Sequence, residues 1–194
     1  MAIAAEILLI KDEYWKKYTP INGSVDSALM RPYVILAQDK YLEEFTGTDL
    51  LTKIKTDAAA GTITGVYATL LDTYIRKIVM WWAVVEALPS LHVKIDNGSI
   101  AIRTSEDTTP ITMEELRLIR DSARDNAQNY TKRMVDYLCV NSASFPEYST
   151  NQPPDKNPQT DVYGKTGGIA MSGGNSFYNT PTTRNPSGWP YLWR

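Results

Sequence analysis

Few residues in this chain have the type and spacing that chemistry requires. His92 is the single histidine and Cys139 the single cysteine among 194 residues. A zinc site needs three or four His, Cys or carboxylate ligands at short spacings, and no such cluster is written here. A Ser-His-Asp relay would have to run through His92, and no G-x-S-x-G sequence accompanies it. His92 falls where the pattern reads as an edge strand, so a surface or interface side chain is the simpler reading. Gly164-Lys165-Thr166 has the closing residues of a phosphate loop, but Gln159 stands where its first glycine belongs, and neither strand nor helix brackets it. Glu43/Glu44 and Glu114/Glu115 are adjacent pairs, which a helix points in different directions. A solvated face and a helix N-terminus explain them better than an acid/base couple. Cys139 cannot form an intrachain disulfide and lies on an apolar helical face, which predicts a buried small hydrophobe rather than a reactive thiol. These residues predict no catalytic centre, no metal and no cofactor, and hence not an enzyme.

The remaining residue types describe packing. Ile63 to Leu88 places large apolar side chains at Tyr67, Leu70/Leu71, Tyr74, Ile78, Trp81/Trp82, Val85 and Leu88, the spacing of an α-helix with a broad buried face. Its polar side nearly vanishes from Ile78 to Val85, so it must be covered from more than one direction. Leu88-Pro89 is expected to end it. Before it, Ser24, Asp26 or Ser27 can cap a helix carrying Leu29/Met30, Tyr33/Val34, Ala37, Tyr41 and Phe45, which starts late or kinks at Pro32 and stops at Gly47. Thr48 can cap a short helix closed by Gly61. Beyond Pro89 the period changes to two: Leu91, Val93 and Ile95, then Asn97-Gly98, then Ile100 and Ile102, a strong β-hairpin signal. Thr112 with Glu115 is a capping box that opens a helix to about Val140, striped by Leu116, Ile119, Ala123, Ala127, Tyr130, Met134 and Tyr137/Leu138. The two long helices, near 66–88 and 112–140, are expected antiparallel, with the Tyr33 to Phe45 helix against them.

From Asn141 onward the character changes. This stretch holds seven of the eleven prolines and six of the eleven glycines, with too few aliphatic side chains for a core of its own. It nevertheless carries Phe145, Tyr148, Tyr163, Phe177, Tyr178, Trp189, Tyr191 and Trp193. Such rings fit an arm that orders on another molecule, with Tyr163, Phe177, Tyr178, Trp189, Tyr191 and Trp193 as partner-binding anchors; a tail wrapped on its own domain is the plainer alternative. The expected organisation is mainly α: a helical bundle with one β-hairpin and a long extended C-terminal arm. Residues 1–23 form an arm or capping segment, 24–141 the helical domain with hairpin 91–102, and 142–194 the arm. The Ile7 to Tyr18 stretch fits a strand, a short helix or an arm laid on a partner.

Charge narrows the partners. Lys+Arg 20 against Asp+Glu 22 gives a formal net charge of -2, which offers no general attraction to nucleic acid or anionic lipid. Asp72, Arg76 and Lys77 interrupt the most apolar helix, so no membrane span is expected. The N-terminus lacks the basic start of a signal peptide, and synthesis in a reducing cytoplasm is expected. Arg117, Arg120, Arg124, Lys132 and Arg133 share the last helix, but Glu114, Glu115, Asp121, Asp125 and Asp136 interleave with them as in an ordinary salt-bridged face.

A resemblance adds a function. Arg31-Pro32-Tyr33 with Ala37-Gln38, the Asn97-Gly98 hairpin followed by Ser105-Glu106, and Tyr137-Leu138-Cys139 followed by Phe145-Pro146 resemble small structural proteins of tailed phages that infect Bacteroidetes, the crAss-like phages included. These are similar to head-to-tail connector (adaptor, or head-completion) proteins. The resemblance covers about residues 20 to 148. It implies a homo-oligomeric ring, usually of twelve copies, that joins the capsid portal to the tail and touches adjacent tail or ring proteins. It also implies a virion protein at the head-tail junction, with genomic DNA passing through the channel without sequence-specific binding. The alternatives are a nucleic-acid-contacting helical module and, further off, a small hydrolase.

Overall fold

The computed structural model describes residues 6–21, 25–96, 99–102 and 111–163. The fold is mainly α. In chain order the elements are α1 (Asp12–Tyr18), α2 (Ser27–Ala37), α3 (Glu43–Thr46), α4 (Thr48–Ala60), α5 (Gly65–Leu70), α6 (Arg76–His92), the short strands β1 (Val93–Asp96) and β2 (Ser99–Ile102), and α7 (Met113–Val140). Two π-helical turns, Gln38–Leu42 and Leu71–Ile75, join α2 to α3 and α5 to α6 without a break. Among the described residues the chain therefore forms three long rods, 27–46, 65–92 and 113–140.

The rods associate because α6 is too apolar to leave uncovered. Ile78, Val79, Ala83, Val85 and Ala87 are all buried, and burial of each large aliphatic side chain contributes about 1.5–3 kcal/mol. One flank of α6 lies along α7 and another against α2. Tyr74 stacks on Tyr137, the Trp82 indole donates to Thr131, and Arg120 reaches Val85. Partners that climb one helix while descending the other make α6 and α7 antiparallel. The capping box at Thr112 is formed in both directions: the Thr112 hydroxyl accepts from Glu115 N–H, and the Glu115 carboxylate accepts from Thr112 N–H.

Several expectations are corrected. Helix α6 does not stop at Leu88 but runs through Pro89 to His92. Proline has no N–H, so the Val85 carbonyl four residues earlier loses its helical donor. Arg120 of α7 supplies one, its Nε donating to the Val85 oxygen at 3.2 Å. His92 accordingly closes a helix rather than lying on a strand. Helix α2 begins at Ser27 despite Pro32, with the Asp26 side chain accepting from Ala28 N–H at 2.9 Å. Cys139, expected inside, is exposed.

Backbone pairing sets Val93 opposite Ile102 and Asp96 opposite Ser99, antiparallel; the Asn97-Gly98 turn lies outside the described residues. The hydrophobic core draws on helices and on the segments flanking them.

Both chain segments flanking the bundle contribute to that core. Leu9, Ile10 and Trp15 are buried. The buried side chain of Gln38 fixes the entering backbone, its Oε1 accepting from Leu9 N–H at 2.8 Å and its Nε2 donating to the Ile7 carbonyl at 3.0 Å. The described part of residues 1–23 thus caps the bundle. Residues 142–163, assigned from sequence to the extended arm, also pack on the domain, and the compact unit reaches Tyr163. Phe145 is fully buried, its ring meeting Tyr67 and Tyr137 edge-on. The Tyr67 hydroxyl donates to Glu147 at 2.6 Å. Burial, with that bond, pushes its pKa up to about 12, so it remains a donor throughout the physiological range.

Farther on, Asn151 caps α4 from about a hundred residues downstream, its Oδ1 accepting from Asp49 N–H at 3.0 Å. Thr48, expected to cap that helix, instead donates through its hydroxyl to Glu43 and accepts from Lys156 N–H. Gly47 is what permits this join. Its φ is +77°, and a Cβ there would lie 2.8 Å from Asn151 Nδ2. Asn151 is held in place by its bonds to Asp49 and Glu147, so it cannot retreat without uncapping α4. Gly47→Ala should therefore cost about 1–3 kcal/mol of stability, from the left-handed backbone and the lost cap together. Chemical denaturation of both proteins would check it, and equal midpoints would refute the join.

Candidate functional site

The N-terminal half of α7 departs from its expected stripe. Leu116 and Ala123 are buried, but Ile119 is 47 % exposed and Leu118 71 %. Toward the other end the stripe closes normally, with Ala127, Met134 and Leu138 inside. The cause is geometric. Helix α6 packs against both α2 and α7, and Ile21 and Val25 stand at the same opening as Trp81 of α6 and Leu118 and Ile119 of α7. An open groove of about 550 Å³ results. Ile21 and Val25 form one wall, Trp81, Val84, Leu88 and Leu91 of α6 the floor, and Leu118 and Ile119 of α7 the other wall. Ser122 and Asn126 stand among these apolar side chains as polar groups, and among the described residues none of the lining is charged.

Behind the groove a polar cluster locks the rods. The Glu86 carboxylate accepts from Lys40 Nζ at 2.8 Å and from the Tyr41 hydroxyl. The Tyr41 ring stacks on Trp82, with centroids 3.8 Å apart and planes 6° from parallel. The π-helical turn 38–42 makes this possible: with one extra residue in the turn, Gln38 and Leu42 point into the core while Tyr41 lies over Trp82. Burial pushes the Glu86 carboxyl up, but the hydrogen bonds from Lys40 and Tyr41 and the charges of Lys40 and Arg120 outweigh it, holding the group below its ordinary value. A depressed carboxyl binds fewer protons folded than unfolded, so its contribution is complete above its ordinary value of 4.5 and is lost as pH falls through the folded value. Glu115 is likewise lowered, by the backbone and side-chain hydrogen bonds of Thr112. The melting temperature should fall below about pH 4.5, and Glu86→Gln should flatten that fall. An unchanged acid limb in the variant would show that Glu86 does not contribute.

Several of the side chains singled out from sequence are engaged in local pairs, and the His92 side chain lies outside the described residues. Arg124 pairs with Asp121 and Lys132 with Asp136 on α7, Arg120 is spent on the Val85 carbonyl, and Glu43 takes Lys156. Glu115 belongs to the capping box. Among the described residues no group of three or more His, Cys, Asp or Glu is placed to hold a metal ion, and no helix is long and apolar enough to cross a membrane. Of the six expected anchors, Tyr163 is described and exposed; Phe177, Tyr178, Trp189, Tyr191 and Trp193 lie outside the described residues, as does Gly164-Lys165-Thr166.

The groove was not read from sequence. Its only trace there was a surplus: apolar residues at both 118 and 119, one more than a single stripe needs.

Compared with known proteins, residues 27–158 match the model of a family of unknown function, DUF6712. No curated protein and no solved structure matches the chain.

Proposed function

Because the chain belongs to the DUF6712 family, whose description assigns no activity, we propose a role from its surfaces: a structural subunit of a ring at the head-tail junction of a tailed phage. The ring joins the capsid portal to the tail and continues the DNA channel, without catalysis or cofactor. One observation carries this reading. The described residues leave a groove open that none of them lines with a charge, with Leu118 and Ile119 exposed at its edge. Contiguous apolar surface of this kind serves binding rather than solubility. A subunit of a closed ring needs two different surfaces, one for each neighbour, and the aromatic residues after Tyr163 supply a second type of contact. The hairpin 91–102 belongs to the same proposal: Leu91 lines the groove and leads directly into β1, so β2 can offer its edge to an adjacent subunit. The copy number of twelve, the portal and neighbouring ring proteins as partners, and assembly in the host cytoplasm follow from the resemblance to connectors.

A second reading has its own observation. Lys11, Lys17 and Arg76 surround the rings of Tyr14 and Tyr18 at a cleft of about 270 Å³, and cations interleaved with aromatic rings suit a nucleic-acid backbone and its bases. Glu13 at the same cleft weakens the match. Cryo-electron microscopy of particles is expected to show the chain as a closed ring under the portal. Its absence from particles, together with salt-dependent binding of DNA by the free protein, would replace the ring with the second reading.

A further inference from the structure

We propose that the groove between α6 and α7 is the seat for Trp189-Pro190-Tyr191-Leu192-Trp193 of a second copy of this chain. The inference rests on the ring reading and names its subunit contact.

The first ground is chemical complementarity. Neither the described lining of the groove nor the segment 189–193 contains a charged side chain, so docking between them strips no ion of water. A volume of about 550 Å³ lies within the roughly 300–1,000 Å³ range of sites that enclose compact ligands. An indole brings an apolar body and one N–H that requires a partner when buried. Ser122 and Asn126 place acceptor oxygens within an otherwise apolar lining. Pro190 fixes its own φ and so reduces what is lost on docking.

The second ground is where the rest of the chain goes. Residues beyond α7 turn to the junction of α3 and α4, where Gln159 N–H donates to the Glu44 carbonyl and Lys156 pairs with Glu43. None of residues 141–163 lines the groove, so the described part of the chain leaves it uncovered. Between Tyr163 and Trp189 stand 25 residues, which can span at most roughly 80–90 Å. Helix α7 is about 40 Å long at 1.5 Å per residue. The segment can therefore reach past its own domain to the next one. Groove and segment are different patches, and repeating such a contact generates a ring when the rotation closes.

The test uses the full chain with Cys139→Ser, which removes the exposed native thiol. One tagged copy carries Ser122→Cys at the groove and a differently tagged copy carries Arg194→Cys beside the anchor. On mixing under mild oxidation, a disulfide between the two tags is expected, and adding Ile119→Glu to the groove copy should lower its yield at least tenfold without changing the melting temperature. A link that forms only when both cysteines share one chain overturns the proposal in favour of a tail folded back on its own domain. No link in either arrangement overturns it in favour of a different occupant. Native mass of the unmodified protein separates the two levels. A closed multimer without the link refutes this seat and leaves the ring reading standing, whereas a monomer refutes the ring as well.

Discussion

A chain stopped at Asn141 should melt far below one stopped at Tyr163, while the latter melts close to the full-length protein. Stopping at Asn141 removes the fully buried Phe145, the buried Val162, and the bond from the Tyr67 hydroxyl to Glu147. It also removes the Asn151 cap on α4. The ring alone is decisive: deleting a buried phenylalanine side chain costs about 3–5 kcal/mol, and Phe145→Ala should show that loss in the intact chain. For a domain of this size each kcal/mol moves the melting temperature by roughly 2–4 °C, so a drop of about 10 °C or more is expected. Thermal melts of the two truncations and of Phe145→Ala would measure it. If the Asn141 chain melts with the others, residues 142–163 are not part of the folded unit.

Trp82→Ala should be comparably damaging for a different reason. Trp82 sits where all three rods meet, stacked on Tyr41 from the first and donating to Thr131 of α7 at 3.2 Å. Removing it opens a cavity under Tyr41 and unseats the Glu86 cluster, at about 3–5 kcal/mol. Thr131→Val separates the terms. Thr131 already donates to the Ala127 carbonyl at 2.8 Å, so its replacement mainly leaves the buried indole N–H without an acceptor, at roughly 1–3 kcal/mol. Denaturant titrations should rank Trp82→Ala well below Thr131→Val and both below the parent. A Trp82→Ala protein of parental stability would mean that the rods are not held at this crossing.

The parts of this fold that were legible in the sequence are those fixed by neighbours along the chain. Thr112 with Glu115 announced the start of α7, Gly47 and Gly61 announced the ends of two helices, and the spacing from Tyr67 to Val85 announced the central rod. What escaped depends on distant partners. Pro89 reads as a terminator because its effect is local, yet Arg120 from α7 supplies the missing donor. The turns 38–42 and 71–75 leave no signature in residue type, since a π-helical turn is stabilised by the contacts it permits. Residues 142–163 look coreless because their order comes from Phe145, Tyr148 and Val162 and from polar contacts to the helices, none of which forms a periodic pattern. The groove was hidden for the same reason: an apolar residue on a helix reads as core until the packing shows that, among the described residues, none covers it.

The central claim is that this domain is a ring subunit, and native mass spectrometry of the full-length protein, alone and mixed with the portal protein of the same particle, tests it most directly. One closed multimer of fixed number is expected, twelve by the resemblance to connectors, and Trp189→Ala with Trp193→Ala should shift the population toward monomer without lowering the melting temperature. A monomer in both samples, or an open-ended ladder of sizes, would contradict it.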